Sequence, residues 1–189
     1  MNKAFVKDED AWEDPQIEPD PHANIPAGSR NYMIPQGAFR LRAELDDLIQ
    51  NRHPQQLTIV NRMAADGLGP PDAAYREARK SLQRLERRIA FLTGRLSLTE
   101  VIDPLDQDVE HIRFGATVTV LPADGPEKVY RIVGIDEANI ARGLISWTSP
   151  LARALLGAKT GDVVKVTTPA GRQELEIIDV CYREILLES

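Results

Sequence analysis

Few side chains in this sequence have the type and spacing that catalysis or metal binding requires. The chain holds three histidines, His22, His53 and His111, and one cysteine, Cys181. No histidine has a second histidine or a cysteine at ligand spacing. Cys181 falls in a run that reads as a strand, without a histidine or basic cluster to hold a thiolate, so it reads as a small apolar filler. Neither a phosphate-binding glycine loop nor a nucleophile elbow occurs. A free-standing enzyme is therefore not expected, nor a cofactor or metal of its own. The pattern that does stand out is basic: Arg76, Arg79, Lys80, Arg84, Arg87 and Arg88, with Arg95 beyond them, recur along one helical stretch. They read equally as a solvated face lightly paired to Glu77 and Glu86, or as a stripe facing nucleic acid or an acidic groove.

The element that carries these cations has a strict period. Tyr75, Ala78, Leu82, Leu85, Ile89, Leu92 and Leu96 alternate steps of three and four, which predicts a coiled-coil seam outside which the cations fall. A seam needs a partner. Leu41, Leu45 and Leu48, continued by Ile49, Val60 and Met63, predict a first helix running from Gly37 toward Ala65, with Pro54 as a kink rather than an end. Between the two lies Asp66-Gly67-Leu68-Gly69-Pro70-Pro71-Asp72, whose glycines and prolines predict a turn. The segment 31–103 is thus read as an antiparallel hairpin with its tip at 66–72. At about 1.5 Å per residue such helices reach roughly 40 Å, a shape suited to reach rather than to a large core.

The flanking segments differ. Residues 1–30 combine seven acids, three bases and four prolines with scattered Phe5, Val6, Trp12 and Ile17, and read as an acidic, mostly disordered extension. Residues 104–189 read as a small β-rich domain. Strands are expected at Ala116–Leu121 and Val129–Val133, joined through Asp124-Gly125-Pro126, then at Leu144–Trp147, Val163–Thr168 and Gln173–Val180, the last two joined through Pro169-Ala170-Gly171. Ser149 and Pro150 suit the N-cap and first position of a short helix that Gly157 ends. The fold class is α+β, with an antiparallel sheet and one short helix.

The net charge of −6 divides into −4, +2 and −4 over 1–30, 31–103 and 104–189. The acidic total argues against a protein that coats nucleic acid, while the middle segment is net basic. One cysteine allows no internal disulfide, no apolar run reaches the roughly 20 residues of a membrane span, and a signal-peptide layout is missing. A cytoplasmic monomer stabilised by apolar burial is expected.

Four stretches then resemble one family in its order: RRIAFLTGRL from Arg87, FGATVTV from Phe114, YRIVGIDEA from Tyr130 and SPLARALLGAKTGD from Ser149. Together they are similar to the bacterial Gre transcript-cleavage factors, the first and last nearer to the GreB branch, over about Tyr32 to Tyr182. The resemblance implies a coiled-coil hairpin followed by an FKBP-like domain. It also implies that the C-terminal domain docks at the rim of the secondary channel of RNA polymerase while the hairpin brings its tip to the active site.

In that family the tip reads Gly-Asp-x-x-Glu-Asn-Ala-acid-Tyr, and its Asp and Glu help hold the second Mg²⁺ of the polymerase and position a water that cleaves backtracked RNA. Two oxygen-donor anions suit that work. Ungapped alignment puts Gly67 on the Gly and Tyr75 on the Tyr, but Leu68 on the Asp and Pro71 on the Glu. Neither side chain ligates a cation. Asp72, at the Asn position, and Asp66 are the substitutes that could share the polymerase Mg²⁺; their plainer reading is as turn and N-cap residues. The resemblance thus implies a factor that binds RNA polymerase through Ser149, Pro150 and neighbouring surface, with Thr148 where an acid often precedes Ser-Pro. It would regulate elongation by occupying the channel, meeting the nascent RNA 3′ end only indirectly and without efficient cleavage. The alternatives are a cleavage stimulator using Asp66 and Asp72, and a coiled-coil adaptor unrelated to polymerase.

Overall fold

The computed structural model describes residues 20–107, 110–123, 125–168 and 171–187. Phe5, Val6, Trp12, Ile17, Asp124, Pro169 and Ala170 lie outside the described residues, as does most of the expected extension. The described chain divides into two compact units, one of residues 20–23 and 40–97, the other of 24–39 and 98–187.

The first unit is the hairpin. Helix α1 (Pro35–Asp47), whose residues 35–39 belong to the second unit, passes through a π-helical turn, Leu48–Arg52, into α2 (His53–Ala65), and α3 (Ala73–Ser97) returns beside them. The π turn is the chain's answer to Pro54. A proline inside an α-helix lacks an N–H and its ring collides with the carbonyl four residues back. Here the His53 N–H bonds to the Leu48 carbonyl, a five-residue step that widens the turn just before the proline, and helix continues on both sides. Leu48 takes the inward position and is buried, so the expected stripe breaks at Ile49, which is exposed. Val60, Ala78 and Leu82 form a buried cluster with Met63 and Tyr75 against it, and Leu92 is fully buried farther along α3. The seam stands where its period placed it.

Arg95 does not lie outside that seam on a solvated face. It is 2% exposed, one Nη1 donating to the carbonyls of Pro21 and Ala23, both at 2.8 Å, with the guanidinium 5.7 Å from the Phe91 ring. Residues 20–30, read as the end of a loose extension, are likewise ordered by hydrogen-bonded turns: Ala23 N–H to the Asp20 carbonyl, and Ser29 N–H to the Pro26 carbonyl.

The second unit begins and ends its contribution to the expected rod with a parallel ribbon, β1 (Asn31–Met33) on β2 (Thr99–Val101). Asn31 N–H donates to the Leu98 carbonyl and Ile102 N–H to the Met33 carbonyl. Helix therefore yields to strand at both ends of the 31–103 segment.

The main sheet holds β3 (Ala116–Pro122), β4 (Lys128–Val133), β5 (Leu144–Ser146), β6 (Val163–Thr168) and β7 (Gly171–Tyr182) in the order β5-β4-β3-β7-β6. It is mixed rather than antiparallel, because β5 pairs parallel with β4 after the 3₁₀ turns Ile135–Glu137 and Ile140–Arg142 carry the chain back along the sheet. A register shift between Thr119 and Val120 bends β3 against β7. Val118, Val120, Ile132, Ile177 and Leu155 of helix α4 (Pro150–Leu155) form the main core. A second cluster gathers Ile34, Phe114, Val133 and Leu144, with Tyr32 meeting Trp147 edge-on at 5.4 Å between ring centroids. Cys181 is a half-buried free thiol opposite Thr117, in keeping with a filler.

Glu137 joins the ribbon to the sheet. Its buried carboxylate accepts from Gly134 N–H at 2.6 Å and Ile34 N–H at 3.0 Å. A Cβ on Gly37 would fall 1.7 Å from Glu137 Oε1, and one on Gly134 would fall 2.4 Å from the Tyr32 carbonyl oxygen, so both positions need glycine for space. Glu137→Ala leaves two buried N–H groups unpaired, each costing about 1–3 kcal/mol. Its urea midpoint should fall accordingly; a wild-type midpoint would remove Glu137 from this role.

Tyr182 closes the other end of β7, its hydroxyl donating to the His111 carbonyl and accepting from Arg113 N–H. Burial pushes this phenol above its ordinary 10.0, outweighing the nearby Arg113. The unfolded chain thus releases the proton first as pH rises, so the contribution is complete below that ordinary value and lost on passing up through the folded pKa. Alkaline titration of stability should show a smaller loss above pH 10.0 in Tyr182→Phe than in wild type.

Candidate functional site

The tip is built by two stop signals of different kinds. The first closes α2. Gly67 N–H bonds to the Ala64 carbonyl and Leu68 N–H to the Met63 carbonyl, the paired bonds of a Schellman motif, with Gly67 at φ +83° where L side chains are strained. The second opens α3. Asp72 N–H bonds to the Gly69 carbonyl across Pro70 and Pro71, and the Asp72 carbonyl accepts the first helical bond, from Arg76 N–H. Asp72 thus takes the N-cap place through its backbone.

Two prolines supply no N–H, and their own carbonyls need partners. Arg76 provides both: its Nη1 donates to the Pro70 carbonyl at 2.9 Å and the Pro71 carbonyl at 2.7 Å. The fourth residue of α3 is an unusual place for a cation, since a helix N-terminus carries partial positive charge and disfavours one by about 0.3–1 kcal/mol. Two hydrogen bonds at about 0.5–1.5 kcal/mol each outweigh that. No acid stands in the first turn of α3 to offset the charge.

Leu68 is half-buried, while Asp66, Pro70, Pro71 and Asp72 are exposed. The two aspartates flank the turn, and no group of three or more histidine, cysteine or acidic residues placed to hold a metal occurs among the described residues. The donor set at the tip is therefore two solvated carboxylates at the feet of a turn whose apex is neutral and whose nearest cation is Arg76.

The basic residues divide into three groups. Arg79 and Lys80 are exposed and make no ion pair among the described residues. Arg84 binds Glu77 and Ser81, each at 2.9 Å, the light pairing expected of a solvated face. Arg88 forms a two-pronged ion pair with Glu44 at 2.7 and 2.9 Å and lies 5.5 Å from the Phe91 ring centroid; Arg87 is half-buried. His53 meets Glu86 at 3.5 Å. Beside the π turn, Leu48, Ile59 and Leu85 with Glu44, Arg84 and Arg88 line an open groove of about 530 Å³.

Ser149 and Pro150 start α4 as expected. Ser149 Oγ accepts from Ala152 N–H at 3.2 Å, and Pro150 occupies the first helical position, exposed. Thr148 Oγ1 and Ser146 Oγ are 2.8 Å apart, so the loop ahead of the cap is internally bonded.

Sequence reasoning missed two roles: Arg76 as the tip's clamp and Arg95 as the anchor of Pro21 and Ala23. Arg76 had a legible signal, a cation in a helix's opening turn a few residues after two prolines. Arg95 had none, because its partners are backbone carbonyls more than seventy residues earlier.

A two-helix hairpin and a curled mixed sheet in one α+β chain define a class that comparison with known proteins makes specific. Residues 31–101 match the family model for the N-terminal part of transcription elongation factors, and residues 107–182 that for the GreA/GreB C-terminal part. Transcription elongation factor GreB of Neisseria meningitidis serogroup A is 42% identical over 158 residues, 83% of this chain and 97% of its own length. Transcription elongation factor GreA of Xanthomonas campestris is 43% identical over 152 residues, 79% and 96% of the two chains. Among solved structures, GreA factor homolog 1 of Thermus thermophilus is 25% identical over 80% of this chain and 98% of its own, with a TM-score of 0.38. The chain belongs to the GreA/GreB family of transcription elongation factors. An adaptor unrelated to transcription is thereby set aside. No helix among the described residues is long and apolar enough to cross a membrane.

Closing α2 depends on a left-handed residue, so Gly67→Ala should destabilise the hairpin by about 1 kcal/mol through strain at φ +83°. Helical circular dichroism under urea is the readout; an unchanged midpoint would show that the Schellman closure is dispensable.

Proposed function

We propose that this chain binds RNA polymerase and regulates elongation by placing its hairpin in the secondary channel, with a tip that does not support efficient transcript cleavage. One observation carries the reading. The positions that align with the family's metal-holding acids are Leu68 and Pro71, in a turn held by an Arg76 guanidinium on the carbonyls of residues 70 and 71. Mg²⁺ takes carboxylate and water oxygens and dehydrates reluctantly. A tip offering an isobutyl group, a pyrrolidine ring and a nearby cation gives it no reason to stay.

The remaining parts divide the work. The polymerase keeps its own catalytic Mg²⁺, and this chain brings neither cofactor nor active site. The second unit supplies docking surface around Ser149 and Pro150. Ser149 is already committed to capping α4, so Pro150 and the exposed residues near it make the contact. Helix α3 spans 25 residues, about 37 Å at 1.5 Å per residue, enough to carry a tip deep into a channel. Arg79 and Lys80, exposed on α3, meet RNA or an acidic wall there. The chain works as a monomer in the cytoplasm, where the polymerase is, because its hairpin seam is satisfied within one chain.

Stalled, backtracked elongation complexes incubated with Mg²⁺ and the full chain test this directly. The expected result is no acceleration of short 3′ RNA release, while polymerase still co-elutes with the chain on gel filtration. Rapid release that Asp66→Ala or Asp72→Ala abolishes would contradict it and establish the cleavage stimulator instead.

A further inference from the structure

Arg76 belongs to the row of basic residues by sequence, but its contacts set it apart from Arg79 and Lys80. We propose that Arg76 is the positioning residue of the tip: by holding the Pro70 and Pro71 carbonyls it fixes one loop conformation, and that conformation determines how the tip obstructs the polymerase active centre. The inference rests on the channel-occupying function above and adds the residue on which it turns.

Three observations support it. Between Leu68 and Asp72 the backbone has a single hydrogen bond of its own, Asp72 N–H to the Gly69 carbonyl. The prolines add no donors, and Pro70, Pro71 and Asp72 are exposed, so apolar packing does not hold the loop. A Cβ built on Gly69 would meet only the Pro71 Cδ, at 3.8 Å, so no neighbouring element buttresses the apex. Arg76 alone among the described residues ties the two proline carbonyls to the helix. A planar guanidinium suits this task, because its donors are fixed in a fork and little further freedom is lost when two acceptors are bridged.

The consequence concerns geometry rather than charge. A fixed apex near the active centre excludes incoming nucleotide from the same volume in every complex. A loose apex on the same docked chain excludes it only part of the time. Nucleotide incorporation should therefore report on Arg76 through the apparent KM, while affinity for polymerase, set by the second unit, should not.

The test compares wild type, Arg76→Ala, and Arg62→Ala, which removes an exposed cation from the last turn of α2 on the other side of the tip, all as full chains, on elongation complexes with titrated nucleoside triphosphate. Wild type should raise the apparent KM; R76A should lose most of that rise, about threefold or more, with polymerase affinity within about twofold of wild type. R62A should retain it. Hydrogen exchange on the free chain adds a local readout: in R76A the Asp72 amide should exchange about tenfold faster while mid-α3 amides keep their protection. An R76A chain that raises KM as wild type does, or R62A losing the effect equally, would overturn the proposal. So would an unchanged Asp72 amide. A wild type that binds polymerase without moving KM would instead remove the channel reading, with the exchange measurement still deciding whether the clamp exists.

Discussion

A hairpin of two helices has only one buried seam, so the turn that joins them decides what its far end can present. In this chain that turn is closed from both sides by backbone demands. Gly67 ends α2 in a left-handed conformation, and the Gly69 carbonyl receives the Asp72 N–H to begin α3. What lies between has no room for a free choice of shape: two prolines limit the dihedrals, and Arg76 bonds both of their carbonyls. The seam of Val60, Ala78 and Leu82 next to the tip makes the closure worthwhile, since it is buried only if the two helices return side by side. Tip chemistry follows from this constraint. An apex built from leucine, glycine and proline lacks anionic oxygens, and the two aspartates that remain sit at the feet of the turn in water.

Electrostatics sharpen the contrast. The net charge of −6 is an average over a basic hairpin segment and acidic flanks. Within the hairpin the cations do different work. Arg88 is paired to Glu44 and Arg84 to Glu77, Arg95 is buried on backbone carbonyls, and Arg76 is spent on the tip. Exposed ion pairs such as Arg84 with Glu77 contribute about 0–1 kcal/mol, so they tune the face rather than hold the fold. Along α3, Arg79 and Lys80 remain exposed without a hydrogen bond or ion pair among the described residues, a smaller patch than the helix's count of basic residues implies.

Much of this architecture was legible in one sequence because its determinants are local and periodic. The α3 seam repeats at three and four, the Ser149-Pro150 start and Gly157 stop bound a helix, and the alternation at 116–121 marks a strand. The features that escaped depend on partners distant in sequence. The parallel ribbon pairs Asn31 with Thr99, and short runs of three residues carry no periodic signature. Glu137 reads as a surface acid until Ile34 and Gly134 are seen to surround it. Parallel pairing of β5 on β4 turns on two 3₁₀ turns that composition does not announce. Pro54 marks a disturbance in the sequence, but the response of a π turn with continued helix depends on the whole hairpin favouring unbroken packing. At the tip, the missing acids were visible as residue types, whereas the clamp that replaces them is a geometry.

The proposed function requires a neutral, clamped tip to reach the polymerase active centre. A benzophenone amino acid placed at the exposed position of Asp66 in the full chain, photo-activated in a stalled elongation complex, measures where the tip lies. The account predicts crosslinks to polymerase residues lining the active-centre end of the secondary channel, lost when a well-established channel-binding factor is added in excess. Crosslinks confined to the polymerase outer surface, or unaffected by that competitor, would contradict it.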